Sequence, residues 1–183
     1  MRRFGENGTM EAKPVSQSTA VLAHWMGVTD ANSAGNVHGG TVMKLADEAA
    51  GLAAIKHCGL RVVTAGMDRM NFLYPIFVGE LVTLRAMVNA AWRTSMEVGV
   101  RVEAENPRTG NPRHTNTAYI TMVALSEDGK PALVPPVHAV TPAEQRRQRE
   151  AELRRANRLA ERAQILSERT PEQPSTPPAR ARR

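Results

Sequence analysis

The residues best placed to do chemistry lie between Asp30 and Gly51. A polar, glycine-rich loop, Asp30-Ala31-Asn32-Ser33-Ala34-Gly35-Asn36-Val37-His38-Gly39-Gly40, runs into a stretch of small and apolar residues. Two adjacent carboxylates, Asp47 and Glu48, interrupt that stretch. A helix apolar on nearly every side is a buried helix, and a carboxylate is seldom buried without a partner. At least one of the two therefore points into a site. They sit roughly 100° apart around a helix, so both cannot face one cleft. Lys44, one turn before Glu48, offers that residue a partner, and Asp47 is then either a general base or direct nucleophile of a site or an exposed helix carboxylate with no role. The loop presents free backbone N–H groups at a helix N-terminus, where a carbonyl oxygen or a phosphate can bind. Gly39 and Gly40 allow close backbone approach there. Asn36 either holds a ligand or stabilises a left-handed turn. His38 suits a loop-lining or capping role. Cys58 has no base beside it and reads as structural filler.

The surrounding elements follow from periodicity. Residues 1–16 are polar, carry Gly and Pro, and read as disordered. Thr19 to Met26 reads as a strand, 27–40 as loop, and Thr41 to His57 as a helix stopped by Gly59. The period then changes to two. Val82, Leu84, Ala86 and Val88 line one strand face. Met96, Val98, Val100, Val102 and Ala104 line the next, with Glu97, Gly99, Arg101, Glu103 and Glu105 expected on a wet face. Arg61 to Phe72 and His114 to Leu125 complete four β-rich segments separated by turn chemistry. One long helix and one sheet imply an α+β domain, a curved antiparallel sheet wrapped around the helix. Pro135-Pro136 closes it, so the domain spans residues 17–138. Residues 139–170 read as a charged helix beginning at Pro142, with Glu150–Arg154 and Glu144–Arg147 pairs and a thin seam of Leu153, Ala156, Ala160 and Ala163. Residues 171–183 read as a disordered basic tail.

Composition excludes several classes. The net charge of +6 is misleading: 11 Arg and 6 Glu beyond Thr141 carry +5 of it, leaving a nearly neutral domain. With aromatics at 4%, a nucleic-acid partner is not expected. There is no apolar run long enough to insert in a membrane and no secretory h-region, and the single cysteine fits a cytoplasmic protein. Five scattered His and one Cys offer no metal-ligand spacing.

Together the motifs resemble hotdog-fold acyl-CoA thioesterases, in particular the cytosolic acyl-CoA hydrolase branch, whose animal members carry two tandem hotdog domains. The resemblance rests on Asp30-Ala31-Asn32, Gly35-Asn36-Val37-His38-Gly39-Gly40-Thr41 and Asp47-Glu48-Ala49-Ala50-Gly51. Phe72-Leu73-Tyr74-Pro75, Thr94-Ser95-Met96-Glu97-Val98 and Val134-Pro135-Pro136-Val137 add to it, so it covers about residues 19–137. It implies a homodimer, often assembled as a trimer of dimers into a hexamer, with two active sites at each dimer interface. There an Asn of the loop and an Asp of the helix act together from opposite domains. On this chain those are Asn36 and Asp47, with Asn32 a rival further from the helix. The reaction implied is hydrolysis of an acyl-CoA thioester to a free fatty acid and coenzyme A, with no cofactor beyond the coenzyme A of substrate and product. Gly39 and Gly40 would hold the oxyanion. His38 would line the site, and Arg93-Thr94-Ser95 would meet coenzyme A phosphates. Ala49, Ala50, Gly51, Ala53 and Ala54 either leave room for an acyl chain or serve close helix–sheet packing. A non-catalytic acyl-CoA sensor and a hotdog dehydratase are the alternatives.

Overall fold

The computed structural model describes residues 10–168. Its core is one helix, α1 (Gly39–Cys58), held in a curved five-stranded antiparallel sheet. The strands are β2 (Ala20–Trp25), β3 (Arg61–Met67), β4 (Leu81–Ala91), β5 (Ser95–Glu105) and β6 (Arg113–Leu125), in the order β2-β4-β5-β6-β3. This is the hotdog architecture the sequence implies.

Alternation sets the sheet's register. Val82, Leu84, Ala86 and Val88 of β4, Met96, Val98, Val100, Val102 and Ala104 of β5, and Ala118, Ile120, Met122 and Ala124 of β6 are buried against α1. Fully burying one such large side chain is worth about 1.5–3 kcal/mol, and a one-residue slip would turn the whole face outward. Val42, Leu45, Ala46, Ala49, Ala50, Ala53 and Ala54 form the helix face that meets it. Five alanines there let the helix axis approach the concave sheet closely. Gly51 is not part of that face. The helix ends where Gly59 takes up a left-handed φ of 68° and its N–H bonds the Ile55 carbonyl.

The N-terminal reading needs correction. Residues 1–9 lie outside the described residues, but part of 10–16 is ordered. Lys13–Pro14 form β1, parallel to β7 (Val137–His138), and Val15–Ser18 form a 3-10 turn. Contacts distant in sequence hold them: Lys13 Nζ donates to the His57 carbonyl, and Ser18 Oγ accepts from the Val88 N–H.

The charged helix α2 (Pro142–Glu168) has the expected extent, and the basic tail lies outside the described residues. Thr141 and Glu144 form a reciprocal cap, the Glu144 carboxylate accepting from the Val140 and Thr141 N–H groups. Glu144 is thus a cap, while Arg146 rather than Arg154 pairs with Glu150. Arg154 points at the sheet. Glu97, expected on the wet face, is completely buried under α2. Arg154 holds it at 2.7 Å, and Arg158 bridges it to Asp68. The Leu153–Ala163 seam stays exposed, and the residue of α2 that is buried is Ala151. Among the described residues no helix is long and apolar enough to cross a membrane.

Candidate active site

Asp47 is half-buried in the middle of α1, and Glu48 beside it is exposed, 3.7 Å from Lys44. This is the division of labour expected from the helix angle. Thr64 Oγ1 donates to Asp47 Oδ1 at 2.5 Å. The sequence offered no sign of Thr64. It lies on β3 where the register with β6 shifts between Thr64 and Gly66, and a bulge re-aims a side chain in a way alternation cannot foretell. Asp47 and Thr64 stand on an apolar groove of about 440 Å³, with Leu22, Gly51, Leu52, Ile55, Val62 and Met122. No histidine lines it.

The loop before α1 forms a second centre. Asn32 Oδ1 accepts from the Ala34 and Asn36 N–H groups at 2.9 and 3.2 Å. That fixes its carbonyl inward and leaves its NH₂ to donate elsewhere. Asn36 contributes backbone: its carbonyl accepts from the Asn32 N–H, and it bridges to Phe77. His38 is the N-cap of α1, its Nδ1 accepting from the Gly40 N–H at 2.9 Å. The ring thus caps the helix and occupies the Gly40 amide, so of the two expected oxyanion donors only Gly39 keeps a free N–H. Phe72 covers Gly39 so closely that a β-carbon there would sit 3.4 Å from its ring. Asn32, Asn36, Val37, Gly39 and Phe72 share a cavity of about 260 Å³.

The loop that carries Phe72 is pinned by Arg113. Its guanidinium donates to both oxygens of Glu80 at 2.6 and 2.7 Å and to the Pro75 carbonyl. That hydrogen bonding holds the Glu80 carboxyl below the usual carboxylate range.

The three residues expected to meet coenzyme A stand apart from both centres. Arg93, Thr94 and Ser95 line neither cavity. Their backbone ties the β4–β5 turn to the sheet: the Arg93 carbonyl accepts from Val134 and that of Thr94 from Ala124. Ser95 pairs across to Val123, near the end of β6 that meets Arg61 just after α1. The turn therefore lies toward the C-terminal end of α1, away from the loop at its start. Cys58 is buried, as its filler reading expects.

The two centres do not merge within one chain. Gly39 precedes Asp47 by eight residues, about 12 Å of helix. The two cavities share no lining residue.

Comparison with known proteins gives this geometry a context. A family model described as the thioesterase superfamily matches residues 34–111. A solved apo-hexameric acyl-CoA thioesterase is 38% identical and superposes with a TM-score of 0.80, over 84% of this chain and 98% of that one. The chain belongs to the thioesterase superfamily. Another superfamily member, the acyl-CoA hydrolase of Staphylococcus aureus solved with butyryl coenzyme A, is 33% identical with a TM-score of 0.79, over 85% and 95% of the chains. That enzyme has also been solved with an Asp, an Asn and a Thr each replaced by Ala. Its Asn lies fifteen residues before the Asp and its Thr seventeen after it. The cytosolic acyl coenzyme A thioester hydrolase of Rattus norvegicus is 37% identical over 140 residues, 75% of this chain and 36% of that protein.

Proposed function

We propose that the chain hydrolyses acyl-CoA thioesters to a free fatty acid and coenzyme A, at sites that each draw on two copies of it. The observation that carries this is Asp47, oriented by Thr64 at the mouth of an apolar groove, in a chain of this superfamily. Asp47, Thr64 and Asn32 have the same spacings as the three residues replaced in the Staphylococcus aureus hydrolase. That match, and the anchored carbonyl of Asn32 with its free NH₂, support Asn32 over Asn36 for the asparagine role.

The chemistry follows from these groups. Thr64 fixes one carboxylate oxygen of Asp47, and the other takes a proton from water. The water oxygen attacks the thioester carbon, and the carbonyl π electrons move onto oxygen. The Gly39 N–H at the start of a helix and the Asn32 NH₂ are the donors for that oxyanion. A preorganised donor of this kind is worth about 3–4 kcal/mol. The intermediate re-forms its carbonyl, the C–S bond breaks, and the Asp47 carboxyl returns its proton to the coenzyme A thiolate. Since Gly39 stands about 12 Å along α1 from Asp47, and Asn32 lines the cavity at Gly39 and not the Asp47 groove, the donors come from a second copy. The free edge of β3, unpaired on the side away from β6, is the surface for that association. A homodimer is the minimum, and a trimer of dimers accords with the hexameric relative. We place the reaction in the cytoplasm, with no nucleic acid, membrane or resident cofactor taking part. The cytosolic name of the rat relative supports the location.

Thiol release from acetyl- to palmitoyl-CoA, with Asp47→Ala in parallel, tests the reading. Turnover that falls about a hundred- to ten-thousand-fold in the variant supports it. Saturable binding without turnover would replace it by an acyl-CoA sensor. The dehydratase alternative needs a histidine beside the carboxylate, and none lines the Asp47 groove.

A further inference from the structure

We propose that Gly51 determines acyl-chain selectivity, by leaving the groove beside Asp47 wide enough for the acyl arm to run along α1; this rests on the hydrolase reading above. A glycine in mid-helix is disfavoured because its backbone loses more freedom than any other residue's. Something must retain it, and the usual reasons are missing here. Its φ is not positive, so the backbone does not demand glycine. A β-carbon added to it would meet no atom within 4 Å, so packing inside the chain does not demand it either. Its neighbours Ala49, Ala50, Ala53 and Ala54 are fully buried, whereas Gly51 borders open space.

What Gly51 borders is the groove that begins at Asp47. Asp47, Gly51 and Ile55 recur every fourth residue and therefore form one stripe of the helix. Leu52 and Ile55 are 46% and 44% exposed, and Leu22, Val62 and Met122 face them across the groove. An acyl carbonyl placed at Asp47 would send its chain down this apolar stripe. Asp47 to Ile55 spans about 12 Å. An extended chain advances about 3.8 Å in three bonds, as Cα atoms do, so about nine or ten carbons lie alongside. The chain would pass Gly51 roughly midway, where a side chain would narrow the groove.

The test compares wild type with Gly51→Ala and Gly51→Leu on butyryl-, decanoyl- and palmitoyl-CoA. It measures kcat and KM separately, melting temperature, and mass by light scattering. Gly51→Ala adds a better helix former into empty space, so it folds and melts no lower than wild type. Butyryl-CoA, whose four carbons end short of Gly51, is the reference against which the longer chains are read in each variant. The decanoyl-to-butyryl ratio of kcat/KM should fall in Gly51→Ala and fall at least about tenfold in Gly51→Leu, chiefly through KM. A ratio unchanged in both variants, with wild type active, overturns the inference and leaves the hydrolase reading standing. So does loss of oligomeric mass in Gly51→Leu, which would assign the glycine to subunit contact. Wild type inactive on every acyl-CoA would take down both.

Discussion

In the proposed reaction Asp47 supplies the base, and Thr64, hydrogen-bonded to it, supplies its orientation. A hydrogen bond to a carboxylate contributes about 1.5–3 kcal/mol, so Thr64→Val should lower kcat about tenfold or more. Thr64→Ser should recover most of it, and circular dichroism should find both folded. A bulk loss of structure in Thr64→Val would mean the residue matters for the sheet and not for the reaction. The two asparagines separate in the same assay. Asn32→Ala should cost turnover heavily, whereas Asn36→Ala should leave kcat within a few-fold. The opposite ranking would return the role to Asn36. That Asp47 borders a groove was legible in the sequence, because a carboxylate in an apolar helix is anomalous on its own. The anchoring of the Asn32 side-chain carbonyl by the Ala34 and Asn36 N–H groups was not, since the sequence shows only that both asparagines are polar. Single-turnover hydrolysis in ¹⁸O-water would decide how Asp47 acts. Label in the Asp47 carboxylate identifies a nucleophile whose anhydride is opened at the Asp47 carbonyl; label confined to the fatty acid excludes that route and places water attack at the acyl carbon.

At the scale of elements, hydrophobic periodicity was enough to place α1 and the long strands, because each has one face committed to the core. It failed where a polar element covers a polar face. Alternation assigned Glu97 to water, yet α2 lays Arg154 and Arg158 over it, and Arg154 also stacks on Tyr119 with 3.6 Å to the ring centroid. No local pattern announces that a helix of mean hydropathy below zero will pack on a sheet through its arginines. Removing one partner of a buried pair strands the other, so Arg154→Ala should destabilise by about 3–5 kcal/mol in a denaturant melt. A change below about 1 kcal/mol would mean that water already reaches Glu97. The end of α1 carries a pH dependence. Burial holds His57 below the ordinary imidazole range, while its Nε2 donates to the Pro135 carbonyl. The unfolded chain takes up a proton near pH 6.5 and the folded chain resists it, so stability is whole above that pH and is lost as pH falls below it. His57→Gln should therefore shrink the drop in melting temperature between about pH 7.5 and 5.5. An unchanged drop would assign the acid sensitivity to the carboxylates.

For the whole molecule, one chain carries both centres of the proposed site but holds them in separate cavities. The sequence showed an Asn and an Asp in one domain and, through its resemblance, pointed to a shared site. The structure adds the physical reason: Gly39 and Asp47 are eight residues apart on one helix, about 12 Å, and the cavities they line share no residue. Association across β3 can close that gap, since an edge strand next to Thr64 offers backbone donors and acceptors to a second copy. In the proposed dimer, two-fold symmetry gives two equal sites, each with Asp47 and Thr64 from one copy and Asn32 and Gly39 from the other. This arrangement predicts complementation between inactive variants. Asp47→Ala and Asn32→Ala homodimers should each be nearly inactive. In a mixed dimer one site combines both lesions and the other combines both intact groups. Random exchange makes half of the dimers mixed, so activity should recover to about a quarter of wild type. Recovery should follow the rate of subunit exchange, read independently by mass spectrometry of isotope-labelled protein. Full exchange without recovery would place both groups in one chain's site, and the separation of the two cavities would then have to close by a motion of the loop.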